Sequence, residues 1–307
     1  MMKNQAQVIP IAPDNSPGAV RDAEITPLPA RPAAEKTTPS AAPAPRRYRP
    51  LLRQAAQRIF PALLGVGLLL CIWQAAALHS ENFPTPWATW LAALEIFADP
   101  FYIAGPNDQG IGWNVMASLQ RVGIGFGLAA LVGIPAGFLI GRFSFVADML
   151  NPIISLLRPV SPLAWLPIGL LLFQRAEPAS SWTIFICSIW PMILNTAEGV
   201  RQIPQDYLNV ARVLKLSEFT VMRKILLPAV LPNILTGVRL SIGIAWLVIV
   251  AAEMLTGGIG IGFWIWNEWN NLNVENIIIA IVVIGVIGLL LEQGLMLIAK
   301  RFNYDNR

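Results

Sequence analysis

Charge is what this sequence has least of. Asp, Glu, Lys and Arg make up 13% of its 307 residues, about half the usual share in water-soluble domains. With 55% hydrophobic residues and a mean hydropathy of +0.57, an ordinary soluble enzyme is excluded. Histidine occurs once, at His79, which alone makes neither a zinc site nor a proton relay. Cys71 and Cys187 stand far apart, each inside an apolar run, so they read as small buried hydrophobes and not as a disulfide framework. No Gly-x-x-x-x-Gly-Lys-Ser/Thr segment is present, hence no recognisable backbone cradle for nucleotide phosphates. A paired acid/base or metal constellation for intramembrane catalysis is missing too.

What fills the sequence is a series of apolar runs near the 20 residues needed to cross about 30 Å of hydrocarbon. Six spans are predicted: residues 59–78, about 118–142, 145–173, 181–197, about 231–255 and 277–299. The fold class is therefore all-α, a polytopic membrane protein with six transmembrane helices. Residues 1–58 form a tail whose nine prolines up to Pro45 interrupt any helical register, and it is expected to be disordered. The net charge of +4 does not point to nucleic acid, because nine of the 22 basic residues precede position 59 and most others lie between apolar runs. That placement encodes orientation: Arg46, Arg47, Arg49, Arg53 and Arg58 hold the N-terminus in the cytoplasm, and Lys300, Arg301 and Arg307 hold the C-terminus there.

Residues 79–113 carry Glu81, Glu95, Asp99 and Asp108 but no Lys or Arg, so they are placed outside. Within them, Trp87, Trp90, Leu91 and Leu94 have the spacing of a short helix lying in the outer interface. The second span is studded with Gly123, Gly125, Gly127, Gly133, Gly137 and Gly141, small residues that let helix backbones approach in lipid. Pro152, Pro159, Pro162 and Pro167 interrupt the third, which predicts a broken or kinked helix. Trp264, Trp266 and Trp269 read as an interfacial belt.

The polar connection between spans four and five predicts a cytoplasmic helical hairpin. Pro204 can begin a helix through Tyr207, Val210, Ala211 and Leu214, and Ser217-Glu218 can cap a second through Phe219, Met222 and Leu226. Apolar side chains on such faces in water call for a partner. Charges inside spans cost roughly 2.5–3.5 kcal/mol or more at the bilayer centre, which singles out Arg121, Arg158, Arg239, Glu253 and Glu292. Arg121 and Arg158 are the candidates for binding a planar oxyanion, since a guanidinium donates paired hydrogen bonds. Each has a structural alternative: Arg121 as the headgroup end of a span, Arg158 as a cap on broken-helix carbonyls. Arg239 reads as an inner-face anchor, and Glu253 as a partner for a basic group or an outer gate.

At the hairpin the chain resembles the permease subunits of binding-protein-dependent ABC importers, whose signature is Glu-Ala-Ala, three residues, Gly, nine residues, then Ile-x-Leu-Pro. Ala211, Ile225, Leu227 and Pro228 match at the right spacing, while Asn209, Val210 and Lys215 stand where the family has Glu, Ala and Gly. The segments Leu157-Arg158-Pro159-Val160-Ser161-Pro162 and Ala252-Glu253-Met254-Leu255-Thr256-Gly257-Gly258 look like the nitrate, taurine and sulfonate branch of that family, nearest its nitrate and bicarbonate permeases. The resemblance implies the ABC transmembrane type-1 fold over residues 113–301, following a first helix and external loop at 59–112. It implies a coupling loop at 198–230 in which Asn209, Val210, Ala211, Leu214, Lys215, Ile225, Leu227 and Pro228 meet an ATPase subunit. It also implies an inner-membrane location, no cofactor in this chain, ATP bound by the partner subunit, a second permease copy in a homodimer, and an external binding protein. The implied cargo is a small anion, nitrate or nitrite first, with bicarbonate, cyanate or a sulfonate such as taurine as alternatives. A carrier coupled to protons or sodium is the competing class, disfavoured because only the third span is interrupted and no internal repeat is evident.

Overall fold

The computed structural model describes residues 51–80 and 82–302. The predicted tail therefore lies outside the described residues, apart from the opening turns of the first helix. The chain divides into two units, residues 1–59 and 60–307, and the packing below belongs to the second. Among the described residues everything regular is helical, save one isolated bridge between Ile103 and Gln109.

Helix α1 (Leu51–His79) is followed by α2 (Pro86–Ala98), which begins where the Thr85 hydroxyl accepts from the Ala88 N–H and Pro86 fixes the first turn. Trp87, Trp90, Leu91 and Leu94 on α2 are exposed, as an interfacial helix requires. Then come α3 (Ile111–Arg142), α4 (Ser144–Leu157), α5 (Pro162–Phe173) and α6 (Ala176–Arg201). Five helices are long and apolar enough to cross a membrane, and α4 with α5 forms a further pair bent by 101°. Pro159 and Pro162 supply the break, because neither offers an N–H to continue the ladder, and Ser161 leads into α5 with Pro162 in its first turn.

Whether that bent pair crosses or turns back is decided by how α3 meets α6. Gly125 lies against Ser181 and Ile184, Gly133 against Ile189 and Met192, Gly137 against Ile193 and Thr196, and Gly141 against Ala197 and Val200. Partners advance together, so the two helices are parallel, and the chain must return across the membrane between them. Segments of 14 and 12 residues bent in this way span about 25 Å end to end, and the residues that join and flank them extend this toward the width of one broken crossing. With the bent pair counted as one span, the fold has six candidate crossings. Along α3 the contact stripe is Gly125, Ala129, Gly133, Gly137 and Gly141, one small residue every fourth position; a methyl at Gly137 would stand 2.7 Å from the Ile193 carbonyl oxygen. Gly123 and Gly127 meet nothing within 4 Å, so the glycine-rich reading of this span holds for one face of the helix only.

After α6, α7 (Gln205–Val213) and α8 (Glu218–Val221) form the hairpin, and a π-helical turn, Met222–Leu226, runs directly into α9 (Leu227–Thr256). The second hairpin helix is therefore not a separate element. It is the first turns of a single 39-residue helical segment, Glu218–Thr256. Helix α9 runs antiparallel to α6: Ser241 Oγ donates to the Ser188 carbonyl at 2.6 Å, and Gly199 packs on Asn233 and Val230. Helices α10 (Ile261–Asn270) and α11 (Val274–Phe302) complete the chain, with α11 antiparallel to α9 through Trp246 Nε1, which donates to the Ile284 carbonyl. Trp264 corrects the belt reading: it is buried in the core with Ile249 and Ile261, whereas Trp266 and Trp269 are exposed.

Candidate functional site

Three regions carry the chemistry. The first is the hairpin. Ala211 on α7 is 3% exposed, packed with Phe138, Val200, Val221 and Val230, which fixes the hairpin to the ends of α3, α6 and α9. Arg142 at the end of α3 adds a hydrogen-bonded ion pair to Glu218 at 3.1 Å. The opposite face is open: Tyr207, Val210, Leu214 and Phe219 are exposed and Val213 is 82% exposed. Of the motif-aligned residues, Ala211 is buried and Ile225 half-buried, while Asn209, Val210, Leu214, Lys215, Leu227 and Pro228 face outward. Lys215 adopts a left-handed φ of 50°. The Leu216 N–H reaches the Ala211 carbonyl and the Lys215 N–H reaches the Arg212 carbonyl. This is a Schellman ending, which favours glycine at the left-handed position.

The second region is a buried polar clamp joining the N-terminal end of α3 to the C-terminal end of α9. Gly257 and Gly258, at φ of 74° and 90°, reverse the chain after α9 so that α10 starts beside Glu253. The Glu253 carboxylate accepts from Arg121 Nη1 at 2.7 Å, from Ser118 Oγ at 2.7 Å and from the Gly262 N–H at 3.1 Å. Arg121 Nη1 also donates to the Ile259 carbonyl, and its Nη2 lies 3.6 Å from Glu177. The Ile261 N–H donates to Ser118 Oγ and the Gly260 N–H to Asn114 Oδ1. The first amides of α10, which no helical carbonyl can satisfy, are thus satisfied by side chains of α3 and α9. Glu253 sits at the positive end of α10 with every contact favouring its anion. Gly260 has no room for a side chain, since a methyl there would overlap the carboxylate of Glu253.

The third region is a cavity of about 970 Å³ between α5, α6, α9 and α11, lined by Arg158, Thr236, Arg239, Trp246 and Glu292 among others. Arg158, Cys187, Trp190, Leu240 and Ile244 also line a cavity of about 570 Å³ that extends to Asn195, Glu198 and Arg201 at the far end of α6. Arg121 borders a different cavity, of about 590 Å³, between α3, α5 and α6. The structure therefore brings Arg121 and Glu253 together and leaves Arg158 apart from them. Glu253 is 1% exposed and lines none of these cavities; it supports Arg121 and faces no open space. Sequence reasoning missed the cross-span pair of Arg239 and Glu292, in which Nε donates to Oε1 at 2.8 Å and Nη2 donates to the same oxygen. The signal was present, as opposite charges inside two spans. Helix α10 was missed as well, although Ile261, Ile265 and Glu268 or Trp269 have helical spacing.

Residues 133–303 match the family described as binding-protein-dependent transport system inner membrane component. The nitrate import permease protein NrtB of Leptolyngbya laminosa is 48% identical over 217 residues, covering 71% of this chain and 78% of the relative. The bicarbonate transport system permease protein CmpB of Synechocystis is 44% identical over 246 residues, covering 79% and 88%. The taurine transport system permease protein TauC of Escherichia coli is 33% identical over 239 residues, covering 77% and 86%. Among solved structures, an inward-facing MetNI methionine ABC transporter covers 62% of this chain and 94% of its own, with a TM-score of 0.53 at 15% identity, a likeness of fold alone.

Proposed function

This chain belongs to the inner-membrane components of binding-protein-dependent transport systems, and we propose that it is the permease subunit of an ATP-driven importer whose cargo is a small oxyanion, nitrate first. The observation that carries the reading is the hairpin: a helix pinned by Ala211 and the Arg142–Glu218 pair that turns Val210, Val213, Leu214 and Phe219 away from the body. Such a face fits a groove on a cytoplasmic ATPase subunit, which binds the ATP, while an external binding protein delivers the anion. The 48% relative that imports nitrate supports that cargo, and the 44% relative that transports bicarbonate makes bicarbonate the second reading.

Arg158, Arg239 and Glu292 support a two-copy assembly. All three face one cavity within the spans, and charges there need water or protein and not lipid. A second copy closing over this face would leave a wet path between the two, with Arg158 on its wall. Arg121 is the outer candidate, held in place by Glu253. The basic end of the body, with Arg142, Arg201, Arg212, Lys215, Arg223 and Lys224, belongs in the cytoplasm by the bias of basic residues, and with six crossings both termini lie there.

Uptake by the reconstituted complex of labelled nitrate and of labelled bicarbonate, each delivered by its binding protein, tests the cargo. ATP-dependent nitrate uptake is expected, and Arg158→Gln should reduce it with assembly intact. Transport by this chain alone, without ATPase, would overturn the reading in favour of an ion-coupled carrier.

A further inference from the structure

Arg239 and Glu292 are unusual in being both paired and open. Their side chains are 52% and 45% exposed, although both sit well inside spans. Arg239 lies 14 residues before Glu253 along the same helix, about 21 Å, and the exposed faces border the cavity that also holds Arg158. Half-exposed ion pairs contribute little to stability, so joining α9 to α11 is a weak reason for placing two charges inside spans. This pair instead presents its guanidinium to the open space.

Its geometry has a further feature. Both Arg239 donors, Nε and Nη2, converge on one oxygen, Oε1 of Glu292. A carboxylate and a small planar oxyanion offer a guanidinium the same kind of acceptor edge. Arg158, across the same cavity, has no carboxylate partner among the described residues.

We propose that Arg239, together with Arg158, forms an anion subsite within the membrane, and that the Glu292 carboxylate is a built-in competitor occupying Arg239 whenever the cargo is absent. The inference rests on the cavity being the path of a small planar oxyanion, and it names the residues that bind and release it. An arriving anion exchanges places with Glu292 at Arg239; when Glu292 returns, it expels the anion toward Asn195 and Arg201 at the inner end of the adjoining cavity. With the anion bound, the two guanidiniums of Arg239 and Arg158 balance two anions, the cargo and the displaced Glu292 carboxylate; with the cargo absent, Glu292 neutralises Arg239 and Arg158 is left to the open cavity.

The test uses the full complex with its ATPase and binding protein. ATP-driven uptake of labelled nitrate is measured in liposomes, and equilibrium binding of labelled nitrate is measured on the solubilised complex without binding protein. Arg239→Gln should lose both. Glu292→Gln, which removes the competitor and keeps the guanidinium, should bind nitrate roughly tenfold more tightly. The reciprocal exchange, Arg239→Glu with Glu292→Arg, restores the attraction between α9 and α11 but moves the guanidinium to the wrong helix, so binding should stay lost. Wild-type uptake by the exchange variant would make the pair a structural strut and overturn the proposal, as would unchanged affinity in Glu292→Gln. Should Arg239→Gln fail to assemble, those two variants decide. Absence of nitrate uptake by the wild-type complex would instead overturn the functional reading, and the subsite with it.

Discussion

Glu253 shows what a single buried carboxylate does in this fold. Four elements depend on its contacts: Arg121 and Ser118 of α3, its own helix α9, the glycine turn, and the first amides of α10. Removing one partner of a buried ion pair leaves the other uncompensated and costs roughly 3–5 kcal/mol. Glu253→Gln should therefore lower the melting temperature and the yield of assembled complex more than Arg121→Gln with Glu253→Gln combined, a non-additivity that a double-mutant cycle in thermal unfolding measures. Additive losses would mean that the two side chains act independently. Lys215 lies at the other extreme of cost. A non-glycine residue in the left-handed region is strained by about 1 kcal/mol or more, part of which glycine gives back as unfolded-chain entropy. Lys215→Gly should stabilise the end of α7 by about 0.5 kcal/mol, seen as slower amide exchange at Leu216. The sequence disclosed that position 215 departs from a glycine motif, but the reason for the glycine is a backbone angle that only the structure supplies. It also marked Arg121 and Glu253 as costly charges without disclosing that they meet, because their 132-residue separation is closed by the packing of α3 on α9.

Among the elements, the hairpin and the broken span were the most legible, since both are written in local chemistry: Ser217 accepting from the Thr220 N–H, and Pro159 with Pro162 ending one helix and starting another. The π turn at Met222–Leu226 carries no such signature, as Met-Arg-Lys-Ile-Leu is ordinary helical sequence. Its effect is to add one residue to the helix joining the hairpin to α9, which sets the angle at which Phe219 faces outward. Inserting one alanine after the exposed Lys224, which a turn already widened by one residue cannot absorb, should rotate the hairpin by about 100° relative to the span. The complex should then assemble poorly, or hydrolyse ATP without importing nitrate, in paired ATPase and uptake measurements. Substitutions on the hairpin itself separate docking from folding. Val213→Asp, at a position 82% exposed, should leave the chain folded and abolish co-purification with the ATPase. Ala211→Asp buries a charge among Phe138, Val200 and Val221 and should destabilise the chain itself.

At the scale of the whole molecule, the parallel pairing of α3 and α6 governs everything beyond it. Because those helices run the same way, the bent α4–α5 pair must cross, the hairpin falls at the end of the body bearing Arg142 and Arg201, and α10 falls at the end bearing Asp108 and Glu177. Had the bent pair been re-entrant, the hairpin would share a side with the loop before α3. This is directly measurable with a membrane-impermeant maleimide. Both native cysteines are first replaced by serine, because Cys187 borders the two cavities on the wet face. Val213→Cys on the hairpin and Asn107→Cys in the turn before α3 are both at exposed positions. In inside-out vesicles Val213→Cys should label and Asn107→Cys should not, and in right-side-out vesicles the pattern should reverse. Labelling of both from the same side would remove one crossing, and with it the cytoplasmic hairpin through which ATP hydrolysis could drive the path.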